Sequence, residues 1–229
     1  MTDYNFYAII VAGGSGSRMN SDIPKQFLEL NGKPILMHSI DAFYTNENKP
    51  SIILVLAKAD YDLWNALVAK HKFKTPHQVV NGGTERFHSV KNGLGLINKE
   101  NSIIAIHDGV RPLVSQQTIS NCFKNALING NAIAAAPVKD SVRMLQNSKS
   151  TALKRCEIYL VQTPQTFNYN QLKTAYQQNF DSFFTDDASV VEKAGFSINL
   201  EKGDEFNFKI TFKEDLILAE AIINSKINT

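Results

Sequence analysis

An α/β fold built on a mostly parallel sheet is what this sequence predicts, and three observations predict it. Short uninterrupted apolar runs alternate along the chain with segments whose apolar residues recur at helical spacing, the two periods of doubly covered strands and amphipathic helices. A glycine-rich turn follows the first apolar run directly, as where a buried strand gives way to a loop. The chain has 229 residues, a length that one core can organise, so residues 1–229 are read as a single domain.

Residues 7–11 (Y-A-I-I-V) form the first buried strand. A helix over 35–44 places Leu36, Ile40 and Phe43 on one face, and strand 52–57 (I-I-L-V-L-A) follows. Tyr61, Trp64, Leu67 and Val68 recur at helical spacing and mark a second core-facing helix. A short strand at 77–80 leads through a glycine pair into another helix, then come strands 103–107 (I-I-A-I-H) and 132–138. From 139 to 161 the chain turns polar and β-leaning, with Val142 and Met144 alternating, which predicts a projecting hairpin arm. A further strand is expected at 206–211, closed by a Thr211-x-x-Glu214 capping box and followed by a helix carrying Leu216, Ala219, Ile222 and Ile223.

Bulk chemistry narrows the function class. Net charge is +2 from 24 basic and 22 acidic residues, too balanced for a nucleic-acid or membrane-surface protein. Cys122 and Cys156 are the two cysteines, without zinc-ligand spacing. No signal-peptide pattern opens the chain, and no apolar run nears the roughly 20 residues of a membrane span. A cytoplasmic enzyme is the expectation.

Ala12-Gly-Gly-Ser-Gly-Ser-Arg-Met19 follows the first strand. Its glycines let backbone N–H groups approach an anion. The dinucleotide fingerprint needs glycine where Met19 stands, and the P-loop ending G-K-[ST] is absent. Arg18 closes the loop and Pro24-Lys25-Gln26-Phe27 comes soon after. Fixed cations of this kind stabilise charge that builds on a transferring phosphoryl group. Gly82-Gly83-Thr84-Glu85-Arg86 with Ser89 stands between a strand and a helix, where small and hydroxyl groups suit base or ribose recognition. His107-Asp108-Gly109-Val110-Arg111 ends a strand, the edge where open α/β sheets gather ligands. There Asp108 suits Mg²⁺ or a sugar hydroxyl and Arg111 a phosphate; a mutual Asp–Arg pair is the alternative. Lys209 sits among apolar neighbours, a costly position unless its amine meets an anion. Thr185-Asp-Asp-Ala-Ser189 reads as a helix start, with acids placed for the helix dipole.

Together and in this order, A-G-G-S-G-S-R-M, P-K-Q-F, G-G-T-E-R-F-H-S-V, H-D-G-V-R-P, A-P-V-K-D-S-V, Q-T-P-Q-T-F, T-D-D-A-S and N-F-K-I-T-F-K-E-D-L resemble the 2-C-methyl-D-erythritol 4-phosphate cytidylyltransferase family over residues 12–215. The resemblance implies a Rossmann-like nucleotidyltransferase fold, a homodimer with interlocking β-arms, and CMP transfer from CTP to methylerythritol phosphate with Mg²⁺. It makes Arg18 and Lys25 the transition-state stabilisers. It assigns Ala12, Gly13, Gly14 and Gly16 to the triphosphate, and Gly83, Thr84, Ser89 and Gly109 to the cytidine. Asp108, Arg111, Ser141 and Lys209 fall to the polyol phosphate, with Asp108 the candidate metal ligand. Arg155, Thr163 and Thr185 are further substrate contacts, the first two expected from the partner's arm. Gly109 stands where alanine is common, Ser141 where threonine is, and Thr84 where an acid is. A ribitol phosphate cytidylyltransferase is the nearest rival reading; a non-catalytic nucleotide-binding regulator is more remote.

Overall fold

In the computed structural model, which describes residues 4–14 and 23–227, the chain runs in order through β1 (Asn5–Val11), a 3-10 turn (Lys25–Phe27), the short strands β2 (Glu29–Leu30) and β3 (Lys33–Pro34), and α1 (Ile35–Tyr44). β4 (Ser51–Leu56), α2 (Tyr61–Lys70), β5 (Gln78–Asn81), α3 (Arg86–Leu94) and β6 (Ser102–Asp108) continue the alternation. After α4 (Gln116–Asn129) and β7 (Asn131–Pro137) come β8 (Arg143–Gln146), β9 (Lys149–Ala152) and β10 (Tyr159–Asn168). The chain closes with α5 (Tyr169–Ala175), α6 (Asp187–Lys193), β11 (Leu200–Lys202) and α7 (Lys213–Ile227).

Seven strands form one sheet in the order β11-β7-β10-β6-β1-β4-β5. All its pairings are parallel except those of β10, which runs antiparallel between β6 and β7. Successive residues of a strand face opposite sides, and the apolar runs therefore feed two cores. Ala8, Ile10, Leu54 and Ala105 pack with α1, α2 and α4. Ile9, Val55, Ile104 and Ile106 pack with α3, α5 and α6. Trp64 is buried in the first of these, its indole N–H donating to His77 Nε2 at 3.2 Å. A third cluster seats α7 against β2, the start of α1 and the loop after β6.

Two expectations need correction. Residues 206–211 join no ladder: the segment opens in a turn and is held by Ile210 N–H donating to the Val110 carbonyl at 2.9 Å and by the Asn207 carbonyl accepting from Arg111 at 2.8 Å. Its apolar alternation serves packing on the loop after β6, and the strand that completes this region is β11, parallel to β7. The cap of α7 is also displaced by one residue, since Asp215 and not Glu214 accepts the N–H groups of Thr211 and Phe212 at 2.7 and 2.8 Å. The sequence reading also passed over β10. Its buried Gln162, Thr163, Gln165 and Thr166 hide the strand from an apolar pattern, and its register breaks between Val161 and Gln165, around Pro164.

The segment 139–161 contains the β8–β9 hairpin, turned through Asn147 and Ser148 at positive φ, as a two-residue hairpin loop requires. Every residue of both strands is exposed.

Candidate active site

Strand order reverses at β1. The chain steps outward from it through β4 to β5, then returns to place β6 on its other side, with Val11 opposite Asp108. Open α/β sheets leave a crevice beyond the carboxyl ends at such a point. A cavity of about 530 Å³ occupies that position. It brings Ala12, Gly13, Gly14 and Lys25 from the first stretch together with Gly83, Thr84 and Ser89. Asp108 and Lys209 meet them there from the end of β6 and from the segment before α7. Gly16 and Arg18 lie outside the described residues.

The first wall is built around a glutamine. Gln26, 1 % exposed, donates its amide to the Ala12 carbonyl at 2.9 Å and approaches Asp60 at 3.4 Å. The end of β1 is thereby tied to the 3-10 turn that carries Lys25, itself buried to 8 % exposure. Across the cavity, Ser89 accepts the Gly83 N–H at 3.0 Å. A side chain on Gly83 would stand 2.2 Å from His88 Cβ and 3.0 Å from its backbone, so only glycine fits this close turn. Thr84 shares a hydrogen bond with His88 at 3.1 Å.

Asp108 organises the other wall. Lys209 Nζ stands 3.1 Å from its carboxylate, Arg111 Nε 3.3 Å and Arg86 Nε 3.7 Å. Burial alone raises a carboxyl's pKa, but Arg86, Lys209 and Arg111 outweigh it and hold Asp108 well below the usual carboxylate range. The alternative of an Asp–Arg pair is therefore realised within a larger cluster. Arg86 also bonds Asp187 at 2.6 Å, a fully buried carboxylate whose other oxygen accepts from the Tyr176 hydroxyl at 2.6 Å. Burial and then the Asp187 charge push the Tyr176 pKa well up.

Several predicted contacts serve the chain's own framework. Thr163 is 4 % exposed; its hydroxyl accepts the Asp108 N–H at 3.1 Å and donates to His107 Nδ1 at 3.0 Å. It is committed beneath Asp108, not presented from the arm. The Gly109 N–H, expected at the nucleotide, donates instead to the Val11 carbonyl at 2.9 Å, and a Cβ there would meet Leu36 at 2.8 Å. Ser141, Arg155 and Thr185 are exposed and stand outside the cavity wall. Arg155 donates to the Lys139 carbonyl at 2.8 Å, which fixes the base of the arm. Arg86, Glu85 and Gln26 line the cavity but were not singled out from sequence. Arg86 carried a usable signal, because a cation in a helix's first turn opposes the macrodipole unless an anion holds it.

Among the described residues, no three His, Cys, Asp or Glu side chains gather to hold a metal. Mg²⁺ carried on a triphosphate needs only one or two carboxylates, and Asp108 and Glu85 line the cavity. That donor set fits an ion that arrives with its nucleotide.

His107 is fully buried, and burial pushes its pKa down to about 4. Its Nε2 donates to the Arg111 carbonyl at 3.0 Å, so the neutral ring keeps Nδ1 free to accept from Thr163. An unfolded histidine takes up its proton near pH 6.5. The unfolded state therefore binds more protons between those values: this stability is complete above about pH 6.5 and is lost as pH falls toward 4, at about 1 kcal/mol per pH unit. His38, also lowered by burial, acts in the same sense. Urea midpoints should fall over this window, and His107→Gln should flatten the fall; an unchanged slope refutes the assignment.

The family model for 2-C-methyl-D-erythritol 4-phosphate cytidylyltransferase matches residues 6–225. The enzyme of that name from Bacteroides fragilis is 48% identical over 216 residues, covering 94% of this chain and 98% of the relative. That from Bacteroides thetaiotaomicron is 46% identical over 215 residues, again covering 94% and 98%. The crystal structure of 4-diphosphocytidyl-2C-methyl-D-erythritol synthase from Anaerococcus prevotii superposes with a TM-score of 0.83 at 28% identity, covering 96% of this chain and 99% of that one.

Proposed function

Because the chain belongs to the 2-C-methyl-D-erythritol 4-phosphate cytidylyltransferase family, we propose that it transfers CMP from CTP to 2-C-methyl-D-erythritol 4-phosphate. The products are 4-diphosphocytidyl-2-C-methyl-D-erythritol and pyrophosphate, and the enzyme is a nucleotidyltransferase of isoprenoid precursor synthesis. One observation carries the reading: a single cavity joins the glycine turn and Lys25 to the Asp108–Lys209 pair.

The chemistry needs no protein nucleophile. A phosphate oxygen of the polyol phosphate attacks the α-phosphorus of CTP. The bond from that phosphorus to the oxygen bridging to the β-phosphorus breaks, and pyrophosphate leaves with the electron pair. The protein brings two anions together and aligns them. Ala12 to Gly14, with Gly16, cradle the triphosphate; Gly83, Thr84 and Ser89 shape the cytidine side. Lys25 and Arg18 stabilise the charge that builds on the transferring group. Lys209 and Arg111, now engaged with Asp108, provide the cations for the phosphomonoester. Glu85 and Asp108 are the carboxylates of the cavity wall that would hold an Mg²⁺ ion arriving with the triphosphate, and such an ion would neutralise charge there.

We place the enzyme in the cytoplasm, in keeping with the exposed free thiol of Cys156. A homodimer joined through the arms is supported by apolar surface on the hairpin and β10: Leu145 is 74% exposed and Leu160 60%. Arg155, on the arm and outside its own cavity, then acts in the partner's site, with Ser141 and Thr185 bordering the polyol phosphate. Arg155→Ala should raise the KM for the polyol phosphate and leave that for CTP little changed. Mixed dimers of Arg155→Ala and Lys25→Met subunits should regain activity, and no regain argues against sharing between subunits.

The direct test is incubation with CTP and Mg²⁺ and either methylerythritol phosphate or ribitol 5-phosphate. The CDP-linked methylerythritol product and equimolar pyrophosphate are expected; preference for ribitol 5-phosphate would transfer the assignment to that relative.

A further inference from the structure

We propose that Arg86 is a positioning residue for the transfer, locking the nucleotide loop, the end of β6 and the start of α6 into one arrangement through Asp108 and the buried Asp187. The inference rests on the function proposed above and adds a residue to it.

Arg86 is the first residue of α3, directly after the Gly83–Glu85 turn. Its Nη2 lies 2.6 Å from Asp187 Oδ2, while its Nε lies 3.7 Å from Asp108 Oδ1. One planar guanidinium thus reaches two carboxylates from separate nitrogens, a task a lysine's single point charge does not match. Asp187 is the first residue of α6, and its other oxygen accepts from the Tyr176 hydroxyl. Beside it Asp186 caps the helix by accepting from Ser189 N–H, and Gln165 of β10 donates to Asp186 at 2.9 Å.

The division of the Asp108 oxygens gives this arrangement its consequence. Oδ1 faces Arg86, and Oδ2 faces both Lys209 and Arg111. With Arg86 in place, one oxygen alone engages the two cations that are to meet the substrate phosphate. Without it, the carboxylate is free to rotate and pair both oxygens with Lys209 and Arg111, which withdraws them from the phosphate. A residue that merely neutralised Asp187 would need no reach to Asp108 and no place on the cavity wall, and Arg86 has both.

The two roles separate by experiment. Breaking a buried ion pair leaves an uncompensated charge, so Arg86→Gln alone conflates stability with catalysis. In an Asp187→Asn background that charge is gone. The double variant Arg86→Gln/Asp187→Asn should melt close to Asp187→Asn alone, yet turn over on the order of 10²-fold more slowly. Its KM for the polyol phosphate should rise more than that for CTP. Equal turnover of the double and single variants overturns the proposal. If the double variant does not fold, Arg86→Lys takes its place: it keeps a charge beside Asp187, should stay folded, and should still lose roughly tenfold or more in turnover. Full activity of Arg86→Lys overturns the proposal equally. Wild-type enzyme in the same assay guards the underlying reading: a wild type that makes no CDP-linked product sinks that reading and this inference together, whereas an active wild type with unimpaired variants sinks this inference alone.

Discussion

Lys25→Met is expected to keep the fold and lose on the order of 10²–10³ in turnover, the scale of removing one preorganised donor from a developing oxyanion. Lys25 opens the 3-10 turn Lys25–Phe27, whose other residues are anchored independently of its amine. Gln26 holds the Ala12 carbonyl, and Phe27 packs against Trp64 with ring centroids 6.3 Å apart. Methionine preserves the length and apolar stem of lysine, so the 8 %-exposed site stays filled. What disappears is a fixed charge in a partly dry cavity, where it acts more strongly than in water. Since that charge meets the transferring phosphoryl group chiefly in the transition state, kcat should fall more than CTP affinity. Unchanged circular dichroism and melting with a collapsed kcat is the expected pair of results; a fully active, folded variant removes Lys25 from the mechanism.

Legibility in the sequence followed the physics of each element. Parallel strands buried on both faces left apolar runs, and β1, β4, β6 and β7 were found within a residue or two. β10 stayed hidden because its buried polar side chains are satisfied inside the sheet, as where Gln165 bonds Asp186 and the Ala188 N–H. Residues 206–211 misled for the opposite reason: Phe208 and Ile210 pack inward without any ladder, and alternation reports burial, not pairing. At the site, the ordered motifs picked out part of the cavity lining: Ala12 to Gly14, Lys25, Gly83, Thr84, Ser89, Asp108 and Lys209. They did not reveal which groups the fold spends on itself. The Thr163 hydroxyl and Gly109 N–H are the examples, since hydrogen-bond commitments arise between segments far apart in sequence. Arg86 was passed over because its anions, Asp108 and Asp187, come from other elements, and Asp187 was credited to the helix dipole of α6 alone.

Lys209→Met should raise the KM for the polyol phosphate and lower kcat/KM for it by on the order of 10²-fold, with the KM for CTP nearly constant. The amine is placed by backbone, not by a strand: the Asn207 carbonyl accepts from Arg111 and the Ile210 N–H donates to Val110, so the segment on either side of Lys209 is pinned to the loop after β6. The charge count then decides its role. Lys209, Arg111 and Arg86 face Asp108, and Asp187 draws on Arg86 as well, so three cations stand against two carboxylates. The surplus is positive and sits at a cavity wall, which suits a phosphomonoester dianion better than a neutral sugar. Lys209 is the most exposed of the three, at 40% of its side chain against 12% and 28% for Arg111 and Arg86, and is the cation best able to turn from Asp108 toward an arriving phosphate. Attraction of this kind is screened by salt. The polyol phosphate KM of the wild type should therefore rise with ionic strength, and that of Lys209→Met should rise less steeply. Equal salt slopes, or a variant whose KM defect falls on CTP, would show that Lys209 serves the Asp108 cluster as structure and that the phosphomonoester is held elsewhere.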